Sequence, residues 1–188
     1  MSVRRALLIT AATATAVMLG GPAASGTVVE RGSYTDEYAF SYDDCGFPVD
    51  VEGISSGHFR IRAGKGKLAT AFFANDNFSY RETHTNADTG EFVTIVGNAV
   101  FNEVKAKPLG GNLFEFTAVG AGRPFTLIDS AGRVVARDRG SIRHHAVFDT
   151  GGDNVPGGTE VEELEPEVHG PHPGFDDFCG LVGGLIGS

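Results

Sequence analysis

The chain has 188 residues, of which 41% are hydrophobic, and its formal net charge is −9. This length is sufficient for one domain with a hydrophobic core, and a mean hydropathy of −0.05 excludes both a polytopic membrane protein and a fully disordered chain. The acidic balance makes nucleic acid and anionic membrane surfaces poor partners.

The N-terminus has the layout of a secretory signal peptide. Arg4 and Arg5 precede an apolar run at residues 6–19, and small residues follow at 23–26. The run is shorter than the roughly 20 residues that span a bilayer, which favours a cleaved leader over residues 1–25 and argues against a transmembrane anchor. The paired arginines fit either the general or the twin-arginine export route. We therefore expect a secreted, extracellular protein that does not span the membrane.

Segments with the two-residue alternation of β-strands fill residues 33–149. We predict strands at 33–43, 47–51, 58–63, 67–74, 78–85, 91–107, 113–119, 124–129, 133–139 and 141–149. Residues 27–32 read as a flexible lead-in. The loop from Asn86 to Gly90 predicts a tight hairpin, because Asn, Asp and Gly tolerate left-handed backbone conformations. Gly97, inside the longest segment, predicts a bulge.

The connections between these segments are too short to hold crossover helices, so we expect antiparallel pairing in sequence order. A sheet of nine or ten strands closes on itself or splits into two layers. The sequence therefore predicts an all-β fold, an antiparallel up-and-down β-barrel over residues 26–150, with a β-sandwich as the alternative.

Residues 151–188 read as an irregular, acidic, Gly- and Pro-rich tail with a short C-terminal segment at 175–185. The chain has two cysteines, Cys45 and Cys179, and export to an oxidising space makes a disulfide the expected state. Metal ligation by two cysteines so far apart is the weaker alternative. We expect the disulfide to clip the tail to the first strand.

One face of the 78–85 strand carries the strongest candidate site. Alternation places Phe78, Tyr80, Glu82 and His84 together, a carboxylate beside an imidazole on an aromatic row. His144 lies in a second, otherwise apolar row. Lining a barrel lumen, Tyr80, Glu82, His84 and His144 would bind a ligand or act as acid and base. There are two alternatives. His144 is a hydrogen-bonded histidine of the core, or the polar side chains of the 78–85 strand face solvent and have no role in a site.

Two further segments carry weak metal signals. His169 and His172 have a ligand-like spacing, but Gly and Pro between them prevent a helix and no third ligand is evident. The loop from Asp149 to Asn154 offers oxygen ligands for calcium, without the spacing of a hand-type loop. The chain lacks a nucleophile elbow, a phosphate loop and a His-Glu-x-x-His motif. We predict neither a metal nor another cofactor.

Several short motifs resemble those of uncharacterised secreted proteins of actinobacteria. They are Cys45-Gly46-Phe47-Pro48-Val49, Thr85-Asn86 with Thr89-Gly90, Asp129 to Val135 with Arg139-Gly140, and His169 to Phe175 with Cys179. The resemblance covers nearly the whole mature chain and implies no activity. In architecture alone, the strand count is similar to the barrels of lipocalins and allene oxide cyclase-like proteins, although the absence of Trp rules out the lipocalin Gly-x-Trp motif.

These observations lead to three functional hypotheses. The first is a monomeric, non-enzymatic β-barrel that binds a small apolar or amphipathic molecule. The second is an extracellular or envelope interaction protein that acts on a protein partner through its surface and acidic tail. The third is a cyclase- or isomerase-type enzyme that uses Glu82 and His84.

Overall fold

The structure is a computed structural model that describes residues 27–187; the predicted signal peptide lies outside the described residues. The fold is one antiparallel sheet of eight strands with two short helices after it. The strands are β1 (Val28–Tyr42), β2 (Val49–Ala63), β3 (Phe72–Asn86), β4 (Phe92–Gly110), β5 (Leu113–Ile128), β6 (Val134–Arg137), β7 (Gly140–Asp149) and β8 (Thr159–His169). The α-helices are α1 (Pro173–Asp176) and α2 (Phe178–Ile186).

The sheet follows sequence order, β1-β2-β3-β4-β5-β7-β8, and β6 pairs with β5. The predicted hairpin at Asn86 is confirmed: the Asn86 side chain accepts the backbone N–H of Asp88, and Gly90 adopts a φ of +77°. The pairing of β4 with β5 shifts register between Val96 and Asn98, where Gly97 predicted a bulge.

The all-β class is therefore confirmed, but the hydrogen-bonded ladder does not close. Among residues 27–187, β1 pairs only with β2 and β8 only with β7, so both are edge strands. A closed barrel is not confirmed by this topology.

Several predicted strand boundaries were wrong, for a common reason. The segments predicted at 47–51 and 58–63 are one strand, β2, and those at 113–119 and 124–129 are one strand, β5. The glycines between these segments predict breaks, whereas the sheet runs through them. The predicted lead-in also belongs to β1, which begins at Val28.

The first half of the strand predicted at 67–74 forms a turn instead. Residues Gly66–Leu68 form a 3₁₀ helix, and the backbone N–H of Gly64 donates to the carbonyl of Ala71 before β3 begins. The apolar run is explained by packing, because Leu68 and Ala71 contact a hydrophobic cluster from this turn.

Two hydrophobic clusters lie at opposite ends of the long strands. The first joins α2 to the sheet and contains Val93, Ile95, Phe125, Leu127, Val182 and Ile186. The second contains Ala71, Ala106, Phe114 and Phe116, with Phe73 and Phe148 against it.

The tail is more regular than predicted. Residues 159–169 form β8, and the short C-terminal segment is helix α2. The sequence did not show β8 because an exposed edge strand needs no apolar face: glutamates point to both sides of it. The disulfide between Cys45 and Cys179 is confirmed, with a Cα–Cα distance of 5.0 Å, and it ties α2 to the β1–β2 connection.

Candidate functional site

Tyrosines of β1 lie across glycines of β2 and reach β3. Tyr38 is paired with Gly53, and its hydroxyl donates to Glu82 Oε1 at 2.8 Å. A Cβ on Gly53 would lie 2.5 Å from the Tyr38 ring, so only glycine leaves room for the ring to lie flat on the strand.

The same arrangement recurs twice. Tyr34 lies over Gly57 and donates to Asp76 Oδ2 at 2.8 Å. Tyr80 of β3 lies over Gly97 of β4 and donates to the carbonyl oxygen of Pro124 at 2.7 Å. Each tyrosine thus links three adjacent strands, which holds the polar ends of these aromatic side chains in place.

Glu82 and His84 lie side by side, as the sequence predicted. His84 Nε2 is 2.9 Å from Glu82 Oε2, and His84 Nδ1 is 3.2 Å from the Tyr42 hydroxyl. With the bond from Tyr38 to Glu82, the four side chains form one hydrogen-bonded chain, which we call the polar tetrad: Tyr38, Glu82, His84 and Tyr42. His84 is 2% exposed.

Within the polar tetrad, hydrogen bonds hold each of the four side chains in a fixed orientation. Both ring nitrogens of His84 have hydrogen-bonding partners within the tetrad, which fix the orientation of the buried imidazole. Burial, together with the hydrogen bond to Glu82, raises the pKa of Tyr38 well above its ordinary range. Tyr38 therefore remains a protonated donor at neutral pH.

Helix α2 covers one end of the polar tetrad. The ring of Phe178 lies 6.0 Å from the His84 ring and 6.2 Å from the Tyr42 ring. Phe178 also contacts Phe125 of the first hydrophobic cluster, at 6.2 Å. Cys179 follows Phe178 in the sequence, so the Cys45–Cys179 disulfide holds the Phe178 ring in place over His84.

The structure does not bring His144 to this group. His144 lies on β7, which β4 and β5 separate from β3, and its nearest aromatic neighbour is Phe101 at 6.4 Å. Burial lowers the pKa of His144, which keeps the imidazole neutral.

Two open pockets lie elsewhere on the surface. One, of about 270 Å³, is formed by residues 149–159, and the other, of about 400 Å³, crosses β1 to β4. Small polar side chains line much of the second pocket, including Ser33, Thr35, Ser56, Asn77, Ser79 and Asn98. Neither pocket is lined by Tyr80, Glu82, His84 or His144.

The two segments with weak metal signals are occupied by internal contacts. His172 is 1% exposed and its Nε2 lies 3.2 Å from the carbonyl oxygen of His169. The carboxylates of Asp149 and Asp153 accept backbone N–H groups within their own loop. Among residues 27–187, no cluster of three or more His, Cys, Asp or Glu side chains has the arrangement of a metal site.

Sequence reasoning missed half of the tetrad, namely Tyr38 and Tyr42, and the glycines beneath the tyrosines. The sequence did contain a signal for this arrangement, in the equal spacing of the tyrosines and the glycines. Tyr34 and Tyr38 are four residues apart, as are Gly53 and Gly57, which is the match that antiparallel pairing of β1 with β2 requires.

No protein family model matches the chain, and neither the curated proteins nor the solved structures contain a significant match. The resemblance to secreted actinobacterial proteins therefore stays a prediction. Among the described residues, none of the helices combines the length and the apolar character needed to cross a bilayer.

Proposed function

We propose that the protein is a secreted, non-enzymatic binding protein that holds a small amphipathic molecule against the aromatic row of β1. The observation that carries this proposal is the row itself. Tyr38, Phe40 and Tyr42 follow one another on one face, with ring centroids 6.3 and 6.4 Å apart, and Phe40 is 49% exposed.

The row offers rings on one side and fixed polar groups beside them. Partly exposed aromatic surface gains free energy when an apolar group covers it. Beside the rings, the Glu82 carboxylate keeps a side-chain exposure of 19%, and its hydrogen bonds with Tyr38 and His84 set its orientation, whereas His84 itself is buried. A ligand with an apolar body and a polar end fits this combination better than a wholly apolar one.

This proposal does not depend on barrel closure. Curling of the sheet into the barrel that the sequence predicts would surround the ligand, but the aromatic row lies on an edge strand and is accessible in the open sheet. We favour binding over acid–base catalysis at Glu82 and His84, because His84 is 2% exposed beneath Phe178 and neither of the two pockets is lined by these residues.

The test is titration of the purified protein with two fluorescent amphipathic probes, a conjugated polyene fatty acid and retinol. Phe40→Ala is expected to weaken binding about tenfold, since a covered Phe side chain contributes roughly 1.5–3 kcal/mol. Phe92→Ala is the matched control, because Phe92 is also exposed, at 41%, and lies on β4. Absence of saturable binding of both probes, or equal weakening by the two substitutions, would contradict the proposal.

A further inference from the structure

The two edges of the sheet differ in how they are protected. Edge strands present unpaired backbone groups that another strand can extend, and proteins block this with charges and proline. On β8, Pro166 and a run of glutamates serve that purpose. Strand β1 is longer, at 15 residues, contains no proline, and carries charges of both signs, which can be complementary between two copies, whereas β8 carries a run of glutamates alone.

Geometry limits how two copies of β1 can pair. In an antiparallel pair related by a two-fold axis, a residue on the axis faces its own copy, and residues at equal distances on either side of it face each other. Regular pairing starts at Glu30, because the β1–β2 register shifts between Val28 and Glu30. The remaining question is which residue lies on the axis.

Charge selects one axis position. With the axis at Ser33, Glu30 would face Asp36 of the other copy, and with the axis at Asp36, that carboxylate would face itself. Both place like charges opposite each other, which is unfavourable. With the axis at Thr35, no charged residue of β1 faces an opposite charge.

With the axis at Tyr34, Arg31 faces Glu37 of the other copy, and symmetry repeats the pair. Both side chains are exposed, and neither forms an ion pair with another described residue. Arg31 is also paired across β1–β2 with Arg60, a like-charge contact that a glutamate on its other side would offset. We propose that two copies of this chain pair through β1, antiparallel, with Tyr34 at the two-fold axis.

This assembly joins the two sheets into one continuous sheet and leaves the aromatic row of each copy on the surface. It is an alternative to the monomer that the sequence analysis predicts, and the experiments below decide between them. The Arg31–Glu37 pairs lie on the opposite face from the aromatic row, whereas Tyr38 of the row faces Glu30 of the other copy in this register. Charge reversal at Arg31 and Glu37 therefore tests the dimer without changing a residue of the aromatic row.

Charge reversal tests the register. The mass of the purified protein is measured by light scattering between about 1 µM and 1 mM, the range in which small interfaces associate. Arg31→Glu and Glu37→Arg should each weaken the dimer about tenfold or more, and the double variant should restore it. Arg62→Glu, which makes the same change on the interior strand β2, should have no effect. A monomer throughout this range, or a dimer that both reversals leave intact, would overturn the proposal.

Cross-linking provides a second test. Ser33 faces Thr35 of the other copy in this register, at a distance that a disulfide can bridge, whereas two copies of Ser33 are diagonal neighbours about 7–8 Å apart. Ser33→Cys and Thr35→Cys proteins should each remain unlinked alone and form a cross-linked dimer only when mixed and oxidised. Linkage of either variant with itself, or none in the mixture, shows that the register is wrong.

Discussion

Three glycines in this sheet provide the surface on which tyrosine rings of a neighbouring strand pack. Gly53, Gly57 and Gly97 lie inside strands, where glycine usually weakens a sheet. Here each leaves space for an aromatic ring from the next strand, and the ring protects the exposed backbone. The cost of replacing such a glycine is therefore set by the neighbouring side chain.

Gly97→Ala is expected to destabilise the protein by about 2 kcal/mol or more, because its Cβ would overlap the Tyr80 ring and the carbonyl oxygen of Pro124. Gly184→Ala is the matched control: a Cβ there meets no atom within 4 Å, and Ala has the higher helix propensity in α2. Urea denaturation monitored by circular dichroism measures both. Equal stabilities of the two variants would show that the rings do not depend on glycine.

His144 gives stability a pH dependence. Burial lowers its pKa from the ordinary value of 6.5, so the unfolded state binds more protons as the pH falls below 6.5. The contribution of neutral His144 to stability is therefore fully present above pH 6.5, and it decreases as the pH falls toward the lower folded-state pKa. His144→Asn should lose less stability between pH 7 and pH 5 than the wild type, measured by urea midpoints at each pH.

At the scale of elements, α2 completes the first hydrophobic cluster. Val182 and Ile186 are 0% and 1% exposed against β4 and β5, and the Asn86 side chain donates to the carbonyl of Ile186 at 2.6 Å. A nine-residue helix is too short to be stable alone in water, so its structure depends on this packing and on the Cys45–Cys179 disulfide.

The double variant Cys45→Ser/Cys179→Ser should lose about 3–5 kcal/mol of stability, because the disulfide closes a loop of 134 residues. Chemical denaturation measures the loss, and wild-type protein under reducing conditions is the comparison. Hydrogen exchange should increase first at residues 178–186. A loss below about 1 kcal/mol would mean that packing alone fixes α2.

The elements also show which sequence signals can be trusted. The Asn86–Gly90 hairpin and the bulge at Gly97 were predicted because turn chemistry is local. The continuity of β2 was not predicted, because only the neighbouring strand β1 supplies the tyrosines that cover Gly53 and Gly57. The continuity of β5 was not predicted either, because Gly120 and Gly122 lie against the backbones of β7 and β4, which local sequence does not reveal. Strand β8 was missed because it has no buried face to leave a pattern.

At the scale of the whole molecule, alternation and short connections predicted the all-β class and the antiparallel order, and cysteine count predicted the disulfide. Closure of the sheet cannot be predicted from these patterns, because it depends on the twist of each strand relative to the next, summed over the whole sheet. Alternation predicted that Tyr80, Glu82 and His84 share a face, but His144 was placed with them only on the assumption of a closed lumen.

The disulfide joins the connection after the first strand to the last helix. Every loop between residues 46 and 178 therefore lies within a covalent ring, and a protease that cuts one of these loops produces a single nicked molecule that keeps its mass until it is reduced. Because Cys179 follows every strand of the sheet in sequence, this ring closes only after the whole sheet has been synthesised.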